Sequence, residues 1–201
     1  NSKLSNKKMK VIGLTGGIGS GKTTILRWFE TQNIPCFESD VVAKILLNSS
    51  LKSLVSKTFG NNIYNSSGIL NRKKLAARVF NNPKELAKLN VIVHPAVEKA
   101  FEDFKKKHKE DSIIIKEAAI LFESGAYKNC DAIILVIASE EIRIQRVLKR
   151  DKITKKDIEA RIKLQWSDDK KKVLSDYLIQ NEHLEIALDQ AKKILNSLLN
   201  V

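Results

Sequence analysis

The chain is poor in cysteine, proline, glycine and aromatic residues, and it has no long hydrophobic run. Its two cysteines, Cys36 and Cys130, supply neither a disulfide framework nor the paired spacing of a thiolate metal site. A reduced, cytoplasmic setting is the simplest inference. The longest apolar run, Ala132-Ile133-Ile134-Leu135-Val136-Ile137-Ala138, falls far short of the roughly 18–20 residues of a membrane span; it reads as a buried strand, and no membrane partner is expected. Residues 1–8 are polar and lack the apolar core of a signal peptide. Asn1 cannot be a natural initiator and Met9 could be one, so residues 1–8 are read as a tail or cloning remnant. Internal repeats and low-complexity segments are absent. Of the three prolines, Pro83 and Pro95 are each expected to open a helix.

What is abundant is positive charge. The net charge is +13 over 201 residues, of which 43% are hydrophobic; that length and composition fit one globular domain with subdomains. Such a charge attracts polyanionic substrates or nucleic acid. The runs Lys105-Lys106-Lys107 and Lys170-Lys171-Lys172 have no interleaved aromatics and no recognisable reader motif accompanies them. Both read as exposed helix faces or turns, and no nucleic-acid partner is expected.

Glycine is scarce but concentrated: of eight in the chain, five lie between Gly13 and Gly21. Gly16-Gly17-Ile18-Gly19-Ser20-Gly21-Lys22-Thr23 matches G-x-x-x-x-G-K-[ST], a loop that turns successive backbone N–H groups toward a phosphate chain. Lys22 can reach the β- and γ-phosphates, and the Thr23 hydroxyl can hold Mg²⁺. The context fits: Met9–Thr15 reads as a buried strand, and Thr24–Glu30 as a helix with Ile25, Leu26, Trp28 and Phe29 to pack on a sheet. The chain is therefore expected to bind ATP or another nucleoside triphosphate through residues 16–24.

Further strands are read at 34–37, 112–115, 132–138 and 177–179. Continuous β-branched runs separated by helices indicate an α/β fold with a parallel sheet covered on both faces. Ligands gather at the carboxyl ends of such strands, which places the loop, Asp40, Glu117 and Ser139 along one rim. Residues 41–108 read as a helical insertion. Glu140-Glu141 open a helix running to about Lys149, and Thr154-Lys155-Lys156-Asp157 is a capping-box-like start with Asp in place of Glu. Leu184, Leu188, Ala191, Ile194, Leu195 and Leu198 form a helical stripe assigned to core packing.

The absence of N-K-x-D argues against a GTPase, and the short length against a motor. A small-molecule kinase needs an acceptor pocket, a base and charge-bearing arginines. Asp40 is the candidate base, at the end of the strand expected beside the P-loop strand; capping of the next helix is the equal alternative. Glu38 could share that work or hold a magnesium-bound water. Arg143, Arg146 and Arg150 can share one helical face; Arg143 is assigned to a solvated surface and Arg146 to phosphate binding. Arg161 would lie on a mobile cover. His94, beside the apolar Val91-Ile92-Val93, reads first as a structural hydrogen-bond former and second as a substrate contact; Glu117 and Glu123 can each approach the magnesium or the acceptor, or cap the adjoining helix. Other P-loop kinases, acting on a nucleoside monophosphate or a small alcohol, stand as the alternative enzyme reading.

Together these residues resemble the dephospho-coenzyme A kinase family. The resemblance runs from Met9 over nearly the whole chain and rests on Gly13-Leu14-Thr15 through Thr23, Ser39-Asp40-Val41-Val42-Ala43, Leu89-Asn90-Val91-Ile92-Val93-His94-Pro95, Leu121-Phe122-Glu123-Ser124-Gly125, and Arg146 to Asp151 with Arg161 and Gln165. Glu38, Ala119 and His183 stand where the family usually has Asp, Pro and Gly. The resemblance implies a P-loop kinase fold, like that of nucleoside-monophosphate kinases, with a helical acceptor-binding subdomain at about 61–110 and a lid at about 146–170. It implies transfer of the ATP γ-phosphoryl group to the ribose 3′-hydroxyl of dephospho-coenzyme A, with Mg²⁺. Asp40, Lys22 and Arg146 would be catalytic. Thr15, Gly16, Gly17, Ile18, Gly19, Ser20, Gly21, Lys22, Thr23, Thr24, Arg150 and Arg161 would bind nucleotide; Asp40, His94 and Glu123 would bind acceptor; Thr23 would ligate the metal. Oligomeric state is left open.

Overall fold

The computed structural model describes residues 8–79 and 82–200. The chain divides into two compact units, one built from residues up to Phe37 and from His108 onward, the other spanning Glu38–Lys107.

The first unit is organised on a sheet of β1 (Lys10–Thr15), β2 (Cys36–Glu38), β3 (Ile113–Glu117), β4 (Ala132–Ile137) and β5 (Tyr177–Gln180), in the order β2-β3-β1-β4-β5. β1 pairs in parallel with β3 and β4, and β4 with β5. Because both faces are covered, the central strands carry apolar residues in unbroken runs, as expected for a parallel sheet. Ile12, Leu14, Ile113, Ile115, Ile134, Val136 and Ile179 join Ile25, Leu26 and Phe29 of α1 (Lys22–Thr31) and Ala187, Ala191, Ile194, Leu195 and Leu198 of α9 (Leu184–Leu199) in one core. The remaining helices of this unit are α6 (Glu140–Arg150), α7 (Lys155–Lys163) and α8 (Asp168–Val173). The α/β class with helices flanking a parallel sheet is as the sequence indicates.

α7 opens as its sequence dictates. Thr154 accepts the Asp157 N–H at 3.2 Å while Asp157 accepts the Thr154 N–H at 3.1 Å, a reciprocal capping box with Asp in the usual Glu position. The Thr154 hydroxyl, bonded to Asp157 Oδ2 at 2.7 Å, and then the Thr154 N–H hold the Asp157 carboxyl below its ordinary pKa.

The second unit contains α2 (Ser39–Leu47), α3 (Lys52–Phe59), α4 (Arg72–Val79) and α5 (Pro83–Lys107). Its own core is Val55, Phe59, Ile63, Leu70, Leu75 and Val79. Pro83 opens α5, but Pro95 lies inside that helix rather than starting a new one. A proline there removes one N–H and crowds the carbonyl four residues earlier. That residue, Val91, is 74% exposed, so the freed carbonyl belongs to a stretch open to water.

Four further expectations are corrected. β2 does not neighbour β1, because β3 lies between them; Asp40 therefore does not end a strand beside the P-loop strand. Asp40 is not a helix cap either: Glu38 occupies that position, with no side-chain capping bond, and Asp40 sits inside the first turn of α2. Lys171 is not a solvated lysine but 0% exposed. Leu184 is 48% exposed and does not share the buried stripe of α9.

Candidate nucleotide site

Two of the glycines in the loop between β1 and α1 show why no other residue fits there. Gly21 has φ of 87°, in the left-handed region, and a Cβ on it would run into the side-chain amide of Asn181. A Cβ on Gly16 would collide with the Val136 carbonyl.

The trans peptide is planar, with N–H and C=O pointing in opposite directions, so holding one fixes the other. The Ser20 carbonyl accepts the Asn181 Nδ2–H at 2.8 Å and a longer bond from Arg146 at 3.4 Å. Both turn the Gly21 N–H the other way. Lys22 and Thr23 occupy the first turn of α1, whose N–H groups have no acceptor within the helix. The N–H groups of Gly19, Gly21, Lys22 and Thr23 donate to no described residue. A helix N-terminus with a string of open amides is an anion site.

These groups border a groove of about 520 Å³. Its walls are Gly19, Gly21, Lys22, Thr23 and Thr24 from the loop and α1, Arg146, Val147 and Arg150 from α6, and Asn181 and Leu184 from the β5–α9 connection. Lys22 Nζ stands 3.6 Å from Glu117 at the end of β3, and both side chains are largely buried. The contact keeps an ammonium at the loop and leaves it free to turn to phosphate. Arg150 is bound by both oxygens of Asp151 at 2.8 Å. That contact raises the Arg150 pKa and lowers that of Asp151. A phosphate reaching Arg150 competes with this carboxylate.

Comparison with known proteins decides the family. The model of the dephospho-CoA kinase family matches residues 10–185. A dephospho-CoA kinase of Fusobacterium nucleatum is 40% identical over 172 residues, covering 85% of this chain and 89% of its own length. That of Aquifex aeolicus is 37% identical, covering 94% of this chain and 98% of its own.

The chain belongs to the dephospho-CoA kinase family.

Solved structures agree. A crystal structure from Thermus thermophilus superposes with a TM-score of 0.86 at 27% identity, covering 95% of this chain and 98% of that one. Dephospho-CoA kinase from Campylobacter jejuni gives 0.67 at 25% identity, covering 92% of this chain and 95% of that one. A shikimate kinase from Acinetobacter baumannii, at 16% identity and TM-score 0.54, shares the fold alone while covering 96% of this chain and 95% of its own.

Within this family member, Gly19, Gly21, Lys22, Thr23, Thr24, Arg146 and Arg150 are brought together around the groove. Gly16, Gly17, Ile18 and Ser20 complete the loop behind it. Thr15 is fully buried and donates its hydroxyl to the Ala118 carbonyl at 2.8 Å, so it braces the loop base. Arg161 is exposed on α7 and does not border the groove; its charge acts on Asp151 and Asp157. Glu123 accepts the Trp166 N–H at 2.8 Å and lies 3.3 Å from the buried Lys171 ammonium, a pairing within the fold. Arg143 is 6% exposed, contrary to its assignment to a solvated surface: it donates to the Ile18 carbonyl at 2.9 Å and pairs with Asp168 at 3.3 Å. Asp40 and His94 belong to the second unit, Asp40 exposed on α2 and His94 half-buried in α5.

Asn181 was missed as a site residue by sequence reasoning, although its position just past the carboxyl end of β5 was a usable signal. Buried within the groove wall, it leaves its Oδ1 without a partner. His183, in place of the usual glycine, caps α9 with φ of −118°, an ordinary extended value.

Among the described residues, no group of three or more His, Cys, Asp or Glu side chains could hold a metal by itself. Magnesium at nucleotides takes one or two protein oxygens and completes its shell with phosphate and water. The exposed Thr23 hydroxyl at the groove suits that donor set. No helix among the described residues is long and apolar enough to cross a membrane.

Proposed function

We propose that this chain transfers the γ-phosphoryl group of ATP to the ribose 3′-hydroxyl of dephospho-coenzyme A, giving coenzyme A and ADP, the last step of coenzyme A synthesis. The observation that carries the reading is the groove at the head of α1, where four open amides and Lys22 converge in a member of this family.

In this reading the open amides and Lys22 hold the β- and γ-phosphates. Lys22, Arg146 and Arg150 offset charge as the bond from γ-phosphorus to the bridging oxygen breaks and that to the 3′-oxygen forms. Asp40 takes the proton leaving the 3′-hydroxyl. Magnesium, held on the protein side by Thr23, neutralises phosphate charge when bound. The acceptor is assigned to the helical segment 61–110 with His94. Glu123, given its contacts with Trp166 and Lys171, is reassigned to holding the 165–171 segment. Residues 146–170 are assigned to a cover over the nucleotide, of which only the part carrying Arg161 moves toward the phosphates on closure while the joint at Gln165 stays with the loop. We place the reaction in the reducing cytoplasm, where Cys36 and Cys130 remain free thiols. No nucleic-acid partner is assigned, since Lys105, Lys106 and Lys172 are paired with Glu102, Asp103 and Asp169.

The test is ADP release from Mg-ATP with dephospho-coenzyme A, AMP, CMP or no acceptor. A signal specific to dephospho-coenzyme A, with coenzyme A found by mass, supports the reading. ATP binding with no such signal refutes it.

A further inference from the structure

The tip of the phosphate-binding loop is held from behind by a segment that does not touch the groove. Gln165, in the joint between α7 and α8, accepts the Ile18 N–H through Oε1 at 2.9 Å. Its Nε2 reaches the Ala119 carbonyl at 3.4 Å. The carbonyl of Ile18 accepts the Arg143 Nε–H at 2.9 Å, and Arg143 is tied at 3.3 Å to Asp168, the first residue of α8. Trp166, next to Gln165, is anchored by its N–H to Glu123 at 2.8 Å. The Ile18 side chain packs with Ile144, Val147, Ile158 and Ile162 of α6 and α7.

Peptide planarity gives this arrangement a consequence. Arg143 draws the Ile18 carbonyl to the back of the loop, so the N–H of the same peptide, that of Gly19, points to the opposite side. Gly19 borders the groove and its N–H is open. Gln165 fixes the preceding peptide in the reverse sense, with the Ile18 N–H turned back and the Gly17 carbonyl free to accept the Ser20 N–H at 3.0 Å. The Gly19 N–H is thereby left on the groove side, with the open N–H groups of Gly21, Lys22 and Thr23.

We propose that Gln165 is a positioning residue for the nucleotide. Its carboxamide, by taking the Ile18 N–H, sets the loop tip so that the next amides face the phosphates. The α7–α8 joint and the loop tip thereby form one piece, and nucleotide affinity depends on a residue with no place in the groove. This rests on the reading that the groove takes ATP, and not on the identity of the acceptor.

The test is calorimetric ATP affinity, together with kcat and KM for ATP and the melting temperature, for wild type, Gln165→Leu and Gln165→Glu. Leucine removes both bonds and leaves the Ile18 N–H unmet. ATP affinity is expected to fall roughly 10-fold, with KM for ATP rising in step, while the variant stays folded and melts only a few degrees lower. An ionised glutamate still accepts the Ile18 N–H, although it cannot donate to Ala119. Gln165→Glu is therefore expected to keep an ATP affinity well above that of Gln165→Leu. Unchanged ATP affinity in Gln165→Leu, or an affinity in Gln165→Glu as low as that of the leucine variant, overturns the proposal; if the leucine variant does not fold, Gln165→Ala takes its place in the comparison. Wild type that binds ATP without phosphorylating dephospho-coenzyme A refutes the proposed function and leaves this test intact.

Discussion

Lys171→Met separates a structural from a substrate-binding role for Glu123. Lys171 is fully buried and its ammonium lies 3.3 Å from Glu123 Oε1, whose side chain is 15% exposed. The second carboxylate oxygen has no hydrogen-bond partner, and Oε1 also accepts the Trp166 N–H. Removing one member of a buried pair costs about 3–5 kcal/mol, because the other charge is left unmatched. Two features reduce that figure here. Part of Glu123 reaches water, and the ammonium approaches without hydrogen-bond geometry. A loss of about 2–4 kcal/mol follows. For a chain of this length each kcal/mol shifts the melting temperature by about 2–4 °C, so Lys171→Met is expected to melt roughly 4–16 °C lower. Adding Glu123→Gln should recover much of the loss, since the unmatched charge is then gone. Thermal denaturation of the two single variants and the double variant measures the coupling, and KM for the acceptor is expected to stay near wild type in whichever variants fold. A melting temperature for Lys171→Met within about 1 °C of wild type, with KM for the acceptor raised by loss of Glu123, would refute the pairing and restore Glu123 to the substrate site.

Asp40→Asn is expected to lower kcat by roughly 10²–10⁴-fold with ATP affinity retained, the range for a positioned acid–base group; near-normal turnover would remove Asp40 as the base. Lys22→Ala should impair ATP use far more than Lys106→Ala, since Lys22 borders the groove while Lys106 pairs with Asp103 on the surface; equal effects in steady-state assays would mean that general charge governs activity. The Asp157 carboxyl is held below its ordinary pKa by the Thr154 hydroxyl and N–H. Its contribution to α7 is therefore complete above the ordinary aspartate range and is lost as pH falls through the lowered value, below about pH 4. Asp157→Asn should flatten that part of the acid-unfolding profile seen by circular dichroism, and an unchanged profile would count against the capping box.

The parts legible in the sequence are those where local chemistry leaves one solution. Gly16 and Gly21 have no room for a side chain, so the loop announces itself, and the loop fixes the strand before it and the helix after it. The capping box at Thr154 is likewise a local bond pattern. Strand order is not local: β2 follows α1 in the chain, yet β3 takes the place beside β1 only after the excursion through residues 38–107. Arg143 and Lys171 were misread because a long cationic side chain looks the same in sequence whether it meets water or a buried acceptor. Their partners, Ile18 and Glu123, lie far away along the chain. Pro95 misled for the opposite reason: a strong local signal for a helix start was outweighed by a helix continuing on both sides. Gln165 falls within the arginine-bearing segment that resembles the family, but neither its role nor that of Asn181 is legible there, because each exists only where the α7–α8 joint or the β5–α9 connection meets the loop.

The groove is expected to deliver a phosphoryl group to one hydroxyl. The most direct measurement is transfer of labelled phosphate from γ-labelled ATP to dephospho-coenzyme A, run beside its 3′-deoxy analogue. Label is expected in coenzyme A from the first and in no product of the second. Label in both, or in neither while ATP still binds, would contradict the proposed function.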